Sequence, residues 1–167
     1  MRHHHTSPKD YGNIPCVLNI DSLALQNQDF LRTLWTGTYL QVTLMNLNPG
    51  ERIGFEQHKD TDQLIKVVSG TGTVYMGNDP RRLTLRTGVD RRSVILIPAG
   101  TYHDVKNNGR EPLKLVSVYA PPHHPFGKTQ ETPDTEETAS PSSSADSCPA
   151  RSEPEEETPP SCPVCNQ

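Results

Sequence analysis

The sequence predicts an all-β barrel or sandwich, and three observations carry that expectation. Between Leu40 and Tyr119, apolar and polar residues alternate with a period of two, the pattern of strands with one covered face. Clusters of Gly, Pro, Asn and Ser interrupt the alternation at short intervals. Helical periodicity is confined to one stretch near the start. Many short strands with few helices fit a closed or two-layered antiparallel fold.

In chain order, residues 1–15 read as an irregular arm. Asp21-Ser22 can cap a short helix running to about Leu31, with Leu23, Leu25, Phe30 and Leu31 as its apolar stripe, and Trp35-Thr36-Gly37 ends it. Leu40, Val42 and Leu44 then alternate with Gln41, Thr43 and Met45, as expected of a half-buried strand, and Asn48-Pro49-Gly50 turns the chain. Further strands are expected at about 54–58, 63–68, 71–76, 82–86, 93–97, 101–106 and 113–119. Ser69-Gly70, Gly77-Asn78-Asp79-Pro80, Pro98-Ala99-Gly100 and Asn107-Asn108-Gly109 lie between them. Asn107-Asn108-Gly109 is expected to supply the positive-φ residues of a tight hairpin.

At 167 residues the chain has a one-domain length, but it is not uniform. From Thr129 onward there is no aromatic residue and no Leu, Ile or Met, and Pro, Ser, Thr and Glu dominate. Such a stretch buries too little apolar area to offset its ordering entropy, so residues 129–167 are expected to be a disordered acidic tail. The net charge of −4 hides an asymmetry: the tail holds nine acidic residues and one basic, Arg151, which leaves residues 1–128 at +4. The expected division is thus an arm at 1–15, one domain at 16–128 and the tail.

No apolar run approaches the ~20 residues needed to span a bilayer. The start, Met1-Arg2-His3-His4-His5, lacks the hydrophobic segment of a secretory signal, and none of Cys16, Cys148, Cys162 and Cys165 sits where it could staple a core. These features point to a reducing, cytoplasmic setting without a membrane.

The candidate site comes from strand parity. Glu56 and His58 are two apart on one predicted strand, so both leave the same face. Gln63 shares the parity of Ile65 and Val67, and His103 that of Val105. In a closed small barrel these inward positions converge. Four polar groups turned into a closed interior need partners. A divalent metal ion supplies them; a metal-free polar network is the alternative.

The surrounding residues resemble the two motifs of the cupin superfamily. The first reads Gly50, five residues, Glu56-Gln57-His58, four residues, Gln63, six residues, Gly70. The second reads Pro98-Ala99-Gly100, Thr101-Tyr102, His103, three residues, Asn107. The resemblance spans roughly Trp35 to Gly127 and implies a double-stranded β-helix, or jelly-roll, barrel. It departs from the family pattern at Glu56, where a His is usual, at Gln63, where a Glu is usual, and at Arg92, where a Gly opens the second motif. The implied ligand set is therefore Glu56, His58 and His103, with Gln63 as a weaker fourth. Two His and one carboxylate is a set associated with non-haem iron oxygen chemistry, and its hard oxygen ligands favour Fe, Mn or Zn over Cu.

Segments such as Leu34-Trp35-Thr36-Gly37 and Tyr119-Ala120-Pro121-Pro122-His123-His124-Pro125-Phe126-Gly127 further resemble small bacterial single-domain cupins, a group often labelled mannose-6-phosphate isomerase-like. The resemblance implies a homodimer and an enzyme acting on a small polar or carbonyl-bearing molecule, of dioxygenase or of sugar isomerase or epimerase type. A non-catalytic cupin that binds or senses a small molecule or metal is the other reading, because no general base stands out beyond Glu56.

The remaining features have plainer expectations. His123 and His124, flanked by prolines, read as a strap over the barrel, with lining of the pocket mouth or a proton-shuttle role as the alternative. Arg81, Arg82, Arg86, Arg91 and Arg92 read as the coat of a solvated hairpin, and without interleaved aromatics they give no support to nucleic-acid binding. Cys162-Pro163-Val164-Cys165 with Cys148 makes three thiols where a structural zinc site takes four ligands.

Overall fold

The computed structural model describes residues 10–134. The tail from residue 135, with Cys148, Arg151, Cys162 and Cys165, and the histidines at 3–5 lie outside the described residues.

One helix, α1 (Ile20–Gln26), precedes ten strands: β1 (Leu31–Thr36), β2 (Gln41–Leu47), β3 (Glu56–Gln57), β4 (Asp62–Ser69), β5 (Gly72–Gly77), β6 (Leu85–Val89), β7 (Val94–Ile97), β8 (Tyr102–Lys106), β9 (Leu113–Ala120) and β10 (Thr129–Gln130). They form a six-stranded sheet in the order β10-β1-β2-β9-β4-β7 and a four-stranded sheet in the order β3-β8-β5-β6. All pairings are antiparallel. The predicted all-β jelly roll is the observed fold.

α1 is shorter than the periodicity suggests. Its cap is Asn19, whose side chain accepts from the Ser22 backbone N–H at 3.0 Å, two residues ahead of the expected Asp21. It ends at Gln26, because Asn27 turns to an extended backbone while its N–H still closes onto Leu23 and Ala24. Phe30 and Leu31, expected on the helix, instead join the barrel core, and Trp35 and Thr36 lie within β1 rather than beyond a helix end. Seven residues make no stable helix in isolation. Packing supplies the difference: Ala24, Leu34, Leu44 and Val116 form a second apolar cluster between α1 and the outer face of the large sheet.

That roof explains why β2 is not half-buried. Every β2 residue except Val42 is buried, because Met45 and Leu47 enter the barrel core while Leu44 meets α1 on the other side. Burying a Leu side chain contributes about 1.5–3 kcal/mol, so both faces of β2 hold the fold together.

The register divides the interior into two halves along the strands. At one end Met45 pairs with Leu115, Leu47 with Leu113 and Val67 with Leu115, all core residues. At the other end Gln41 and Gln63 both stand opposite Tyr119, and Thr43 stands opposite Ser117. The barrel is thus apolar at one end and polar at the other, and the polar end holds the candidate site.

Two glycines are needed for the backbone path. Gly70 has φ +87°, and a Cβ there would come within 2.6 Å of the Pro112 carbonyl oxygen. Gly100 has φ +81° and donates its N–H to the His58 carbonyl at 2.8 Å, which ties the second motif to the first. The loop after β8 departs from expectation, since neither Asn107, Asn108 nor Gly109 has positive φ. Asn107 organises it with its side chain instead. Its Nδ2 donates to the carbonyls of Leu47 and Glu111 at 2.8 and 2.9 Å, and its Oδ1 accepts from Gly109 N–H at 2.9 Å.

The expected boundaries at 16 and 128 are both too tight. Tyr11 N–H donates to the Leu34 carbonyl at 2.9 Å and Trp35 Nε1 to the Ile14 carbonyl at 3.0 Å, so this part of the arm is fastened to β1. At the other end Thr129 and Gln130, placed in the tail by composition, pair with Arg32 and Leu31 as β10. Composition misses this strand because a ladder uses backbone groups, which every residue but proline carries in full.

Candidate metal centre

Glu56 lies on β3 directly opposite His103 on β8, and Gln57 opposite Tyr102. His58 follows at the end of β3, held by the bond from Gly100 to its carbonyl. The Gln57 amide donates to the Gly100 carbonyl at 2.8 Å, so the two motifs are stitched on both sides of the site.

These constraints place His58 Nε2 at 3.3 Å and His103 Nε2 at 3.8 Å from the same oxygen, Oε2 of Glu56. One ligand atom from each of the three residues lies within 4.8 Å of the others. A divalent ion with bonds near 2.1 Å holds its ligands roughly 3–4 Å apart, and both separations from Glu56 Oε2 fall in that range. Both His58 Nε2 and His103 Nε2 are buried without a hydrogen-bond partner. His103 Nδ1 lies 3.0 Å from the Thr101 carbonyl, which can only accept, so that nitrogen carries the proton and the Nε2 lone pair is left for an ion.

The electrostatics favour the ligating forms. Burial raises the Glu56 carboxyl, but the His58 imidazole 3.3 Å away, with His103 and His124 beyond it, outweighs burial, and the group ends below its ordinary value. Burial pushes the His103 imidazole down against the pull of the Thr101 carbonyl and Glu56. At neutral pH the centre therefore presents an ionised carboxylate and a neutral His103. These are the protonation states a metal requires.

Gln63 is brought to the same end of the barrel by its place opposite Tyr119 and Ile97. Its Nε2 donates to Ser117 Oγ at 2.8 Å, and its Oε1 is buried without a partner. The amide is thus oriented by Ser117, with its one acceptor oxygen free.

Three residues at the site had no assigned role in the sequence. Tyr119 is buried on β9 with its ring 5.7 Å from that of His58, and burial, then the charge of Glu56, raises its hydroxyl above its ordinary value. Its parity with Leu115 and Leu113 was a usable signal. His123 and His124 do lie on a strap after β9, as expected, but the strap crosses the site. The His123 ring is 4.1 Å from that of His58, and the His124 ring is 4.8 Å from His123 and 5.0 Å from Tyr119. This matches the alternative of a pocket-mouth position, which ligand spacing could not decide because it depends on where a proline-rich segment leads after the sheet ends.

The arginines follow expectation: Arg81, Arg82, Arg86, Arg91 and Arg92 are all exposed. Arg92 pairs with Asp90 at 2.8 Å, and Arg86 lies over the Tyr75 ring at 5.6 Å. Cys16 is exposed and free. Among the described residues no helix is long and apolar enough to cross a membrane.

Comparison with known proteins agrees with this architecture. A cupin domain family model matches residues 43–119. The chain is 49% identical over 124 residues to the uncharacterized protein YrkC of Bacillus subtilis, spanning 74% of this chain and 67% of that protein. It is 37% identical over 114 residues to the uncharacterized protein L612 of Acanthamoeba polyphaga mimivirus, spanning 67% and 69%. The crystal structure of BH2720 from Bacillus halodurans superposes with a TM-score of 0.74 at 48% identity, covering 74% of this chain and 94% of that one.

Proposed function

We propose that this chain, which belongs to the cupin superfamily, is a mononuclear metal-dependent enzyme acting on a small polar or carbonyl-containing molecule. The observation that supports this most is the convergence of two buried, unpaired imidazole nitrogens on one ionised carboxylate at the polar end of the barrel. Leaving such groups unpaired costs about 1–3 kcal/mol each, which is tolerated where a ligand completes them.

In this reading Glu56, His58 and His103 hold the ion, and the free Oε1 of Gln63 is the weaker fourth donor. A divalent ion of the Fe, Mn or Zn type would supply a Lewis acid there, or an oxygen-activating centre if it is iron. The chain supplies the surroundings. His103 is locked in one tautomer by Thr101, and Ser117 orients the Gln63 amide. The apolar half of the barrel closes the site from below, whereas the Glu56 side chain is 36% exposed and marks the side from which a small molecule enters. The donor set favours dioxygenation over sugar isomerisation or epimerisation.

A cupin that binds or senses a small molecule or metal without turning it over is the second reading. It draws on Glu56 being the one carboxylate of the three-residue group, which leaves no other carboxylate there to act as a base. A homodimer belongs to either reading, supported by the exposed Val94 and Leu96 on β7 at the edge of the large sheet.

Elemental analysis of the purified protein, run beside a His58→Ala/His103→Ala double variant, tests the proposal. One equivalent of metal lost in the double variant is the expected result. Stoichiometric iron with oxygen uptake selects dioxygenation; zinc or manganese without it selects isomerisation or binding. No metal under any loading condition ends the proposal.

A further inference from the structure

Gln41 is fully buried, and every hydrogen bond found for its side-chain amide serves the strap or its anchor. Its Oε1 accepts from the backbone N–H groups of His123 and His124 at 3.2 and 2.8 Å. Its Nε2 donates to the His124 carbonyl at 2.8 Å and to Thr36 Oγ1 at 3.0 Å. Thr36 Oγ1 in turn donates to Asp10 Oδ2 at 2.7 Å, and that carboxylate oxygen also accepts from Gly127 N–H at 3.2 Å. One internal side chain thus clamps the peptide groups around His123 and His124, and the arm clamps the far end of the strap.

This placement leaves an unexplained atom. His124 Nε2 is buried and has no hydrogen-bond partner. The imidazole interacts electrostatically with Glu56 and with His58. Yet neither strap histidine belongs to the group whose ligand atoms lie within 4.8 Å of one another. Its ring packs 4.8 Å from that of His123 and 5.0 Å from that of Tyr119, and both of those rings touch His58, so His124 is one side chain removed from the ligands and outside the donor set.

We propose that His124 is a specificity-determining residue that donates a hydrogen bond from Nε2 to a small anionic or carbonyl oxygen compound bound at the metal, and that Gln41 is its positioning residue. The inference rests on the metal-dependent reading above and deepens it. A divalent ion with one carboxylate, neutral imidazoles and a neutral amide carries one net positive charge, which favours a monoanion. The unpaired imidazole then meets the acceptor that such a ligand presents.

The test uses the full chain with His3, His4 and His5 replaced by Ala and Cys148, Cys162 and Cys165 by Ser, so that neither the histidine run nor the tail thiols compete for metal. Cobalt(II) affinity is measured by calorimetry, and azide binding to the cobalt-loaded protein by its visible absorption. His124→Ala is expected to leave cobalt affinity unchanged and to weaken azide about tenfold, the loss of one net hydrogen bond. His124→Asn, which keeps a donor, recovers part of the loss. Gln41→Glu, which keeps the acceptor and loses the donor to the His124 carbonyl, weakens azide in the same direction. Unchanged azide affinity in His124→Ala overturns the proposal. So does a fall in its cobalt affinity, which would make His124 a ligand. Failure of the unsubstituted site to bind cobalt or any other metal is a different result: it removes the metal reading, and this inference with it.

Discussion

Glu56 stands directly opposite His103 in the β3–β8 pair, so a backbone ladder, more than side-chain freedom, sets the distance between a carboxylate of the first motif and an imidazole of the second. An ion bound there meets a preformed pair. Glu56→Gln keeps the shape and removes the charge. We expect metal affinity to fall at least about a hundredfold, since loss even of an outer partner of a ligand costs about 10–100-fold. Competition with a chromogenic chelator measures it, and an affinity within a factor of three of the parent would exclude Glu56 as a ligand.

Metal binding should stabilise the fold, because the ligands come from separate strands that are together only when folded. At a free metal concentration a hundredfold above the dissociation constant the gain is about 2.7 kcal/mol. Thermal melts with metal, and again after excess chelator, should show a reversible rise in Tm. The His58→Ala/His103→Ala protein should show none.

Acid should weaken the metal-free protein partly through His124. Burial, with the charges of His123 and Lys128, lowers this imidazole from 6.5 to about 4. The unfolded chain then takes up a proton near pH 6.5 that the folded chain refuses until about pH 4. Stability is therefore level above that window and declines as pH falls through it, by on the order of 2 kcal/mol. Urea titrations at pH 7 and pH 4.5 should show a smaller difference for His124→Asn; an identical difference would contradict the assignment.

Asp10 links the arm to the strap. Its carboxylate accepts from Gly12 and Gly127 N–H groups and from Thr36 Oγ1. Asp10→Ala should cost about 1–3 kcal/mol in urea unfolding, because buried donors lose their partner. A variant beginning after residue 15 should lose at least as much, and a cost below 0.5 kcal/mol (about the size of a typical surface substitution) would show the arm to be dispensable.

Gly70→Ala tests the turn that precedes β5. The backbone conformation alone costs a side chain about 1–3 kcal/mol. The Cβ would also sit 2.6 Å from the Pro112 carbonyl oxygen, so the loss should exceed that range or prevent folding. Gly50→Ala shares the positive φ without the contact and should fall within it.

Several features were legible in the residues themselves. Period-two alternation announced the strands, and the spacing of Glu56, His58 and His103 on shared inward parities announced the convergence that the fold displays. These are local properties: a strand's parity follows from its own backbone, whatever it pairs with. The extent of the helix and the loop after β8 do not follow from local preference, because α1 ends where Asn27 turns extended and the Asn107 side chain shapes the loop through contacts with Leu47 and Glu111.

Other features were decided only in three dimensions. Whether Leu44 or Met45 faced the core had no local answer, since α1 covers the outer face and buries both. The place of Thr129 and Gln130 in the large sheet, the fastening of Asp10 to the strap, and the arrival of His123, His124 and Tyr119 beside His58 all join residues far apart in sequence. Such contacts depend on how the whole chain closes on itself, and no window of neighbouring residues contains them.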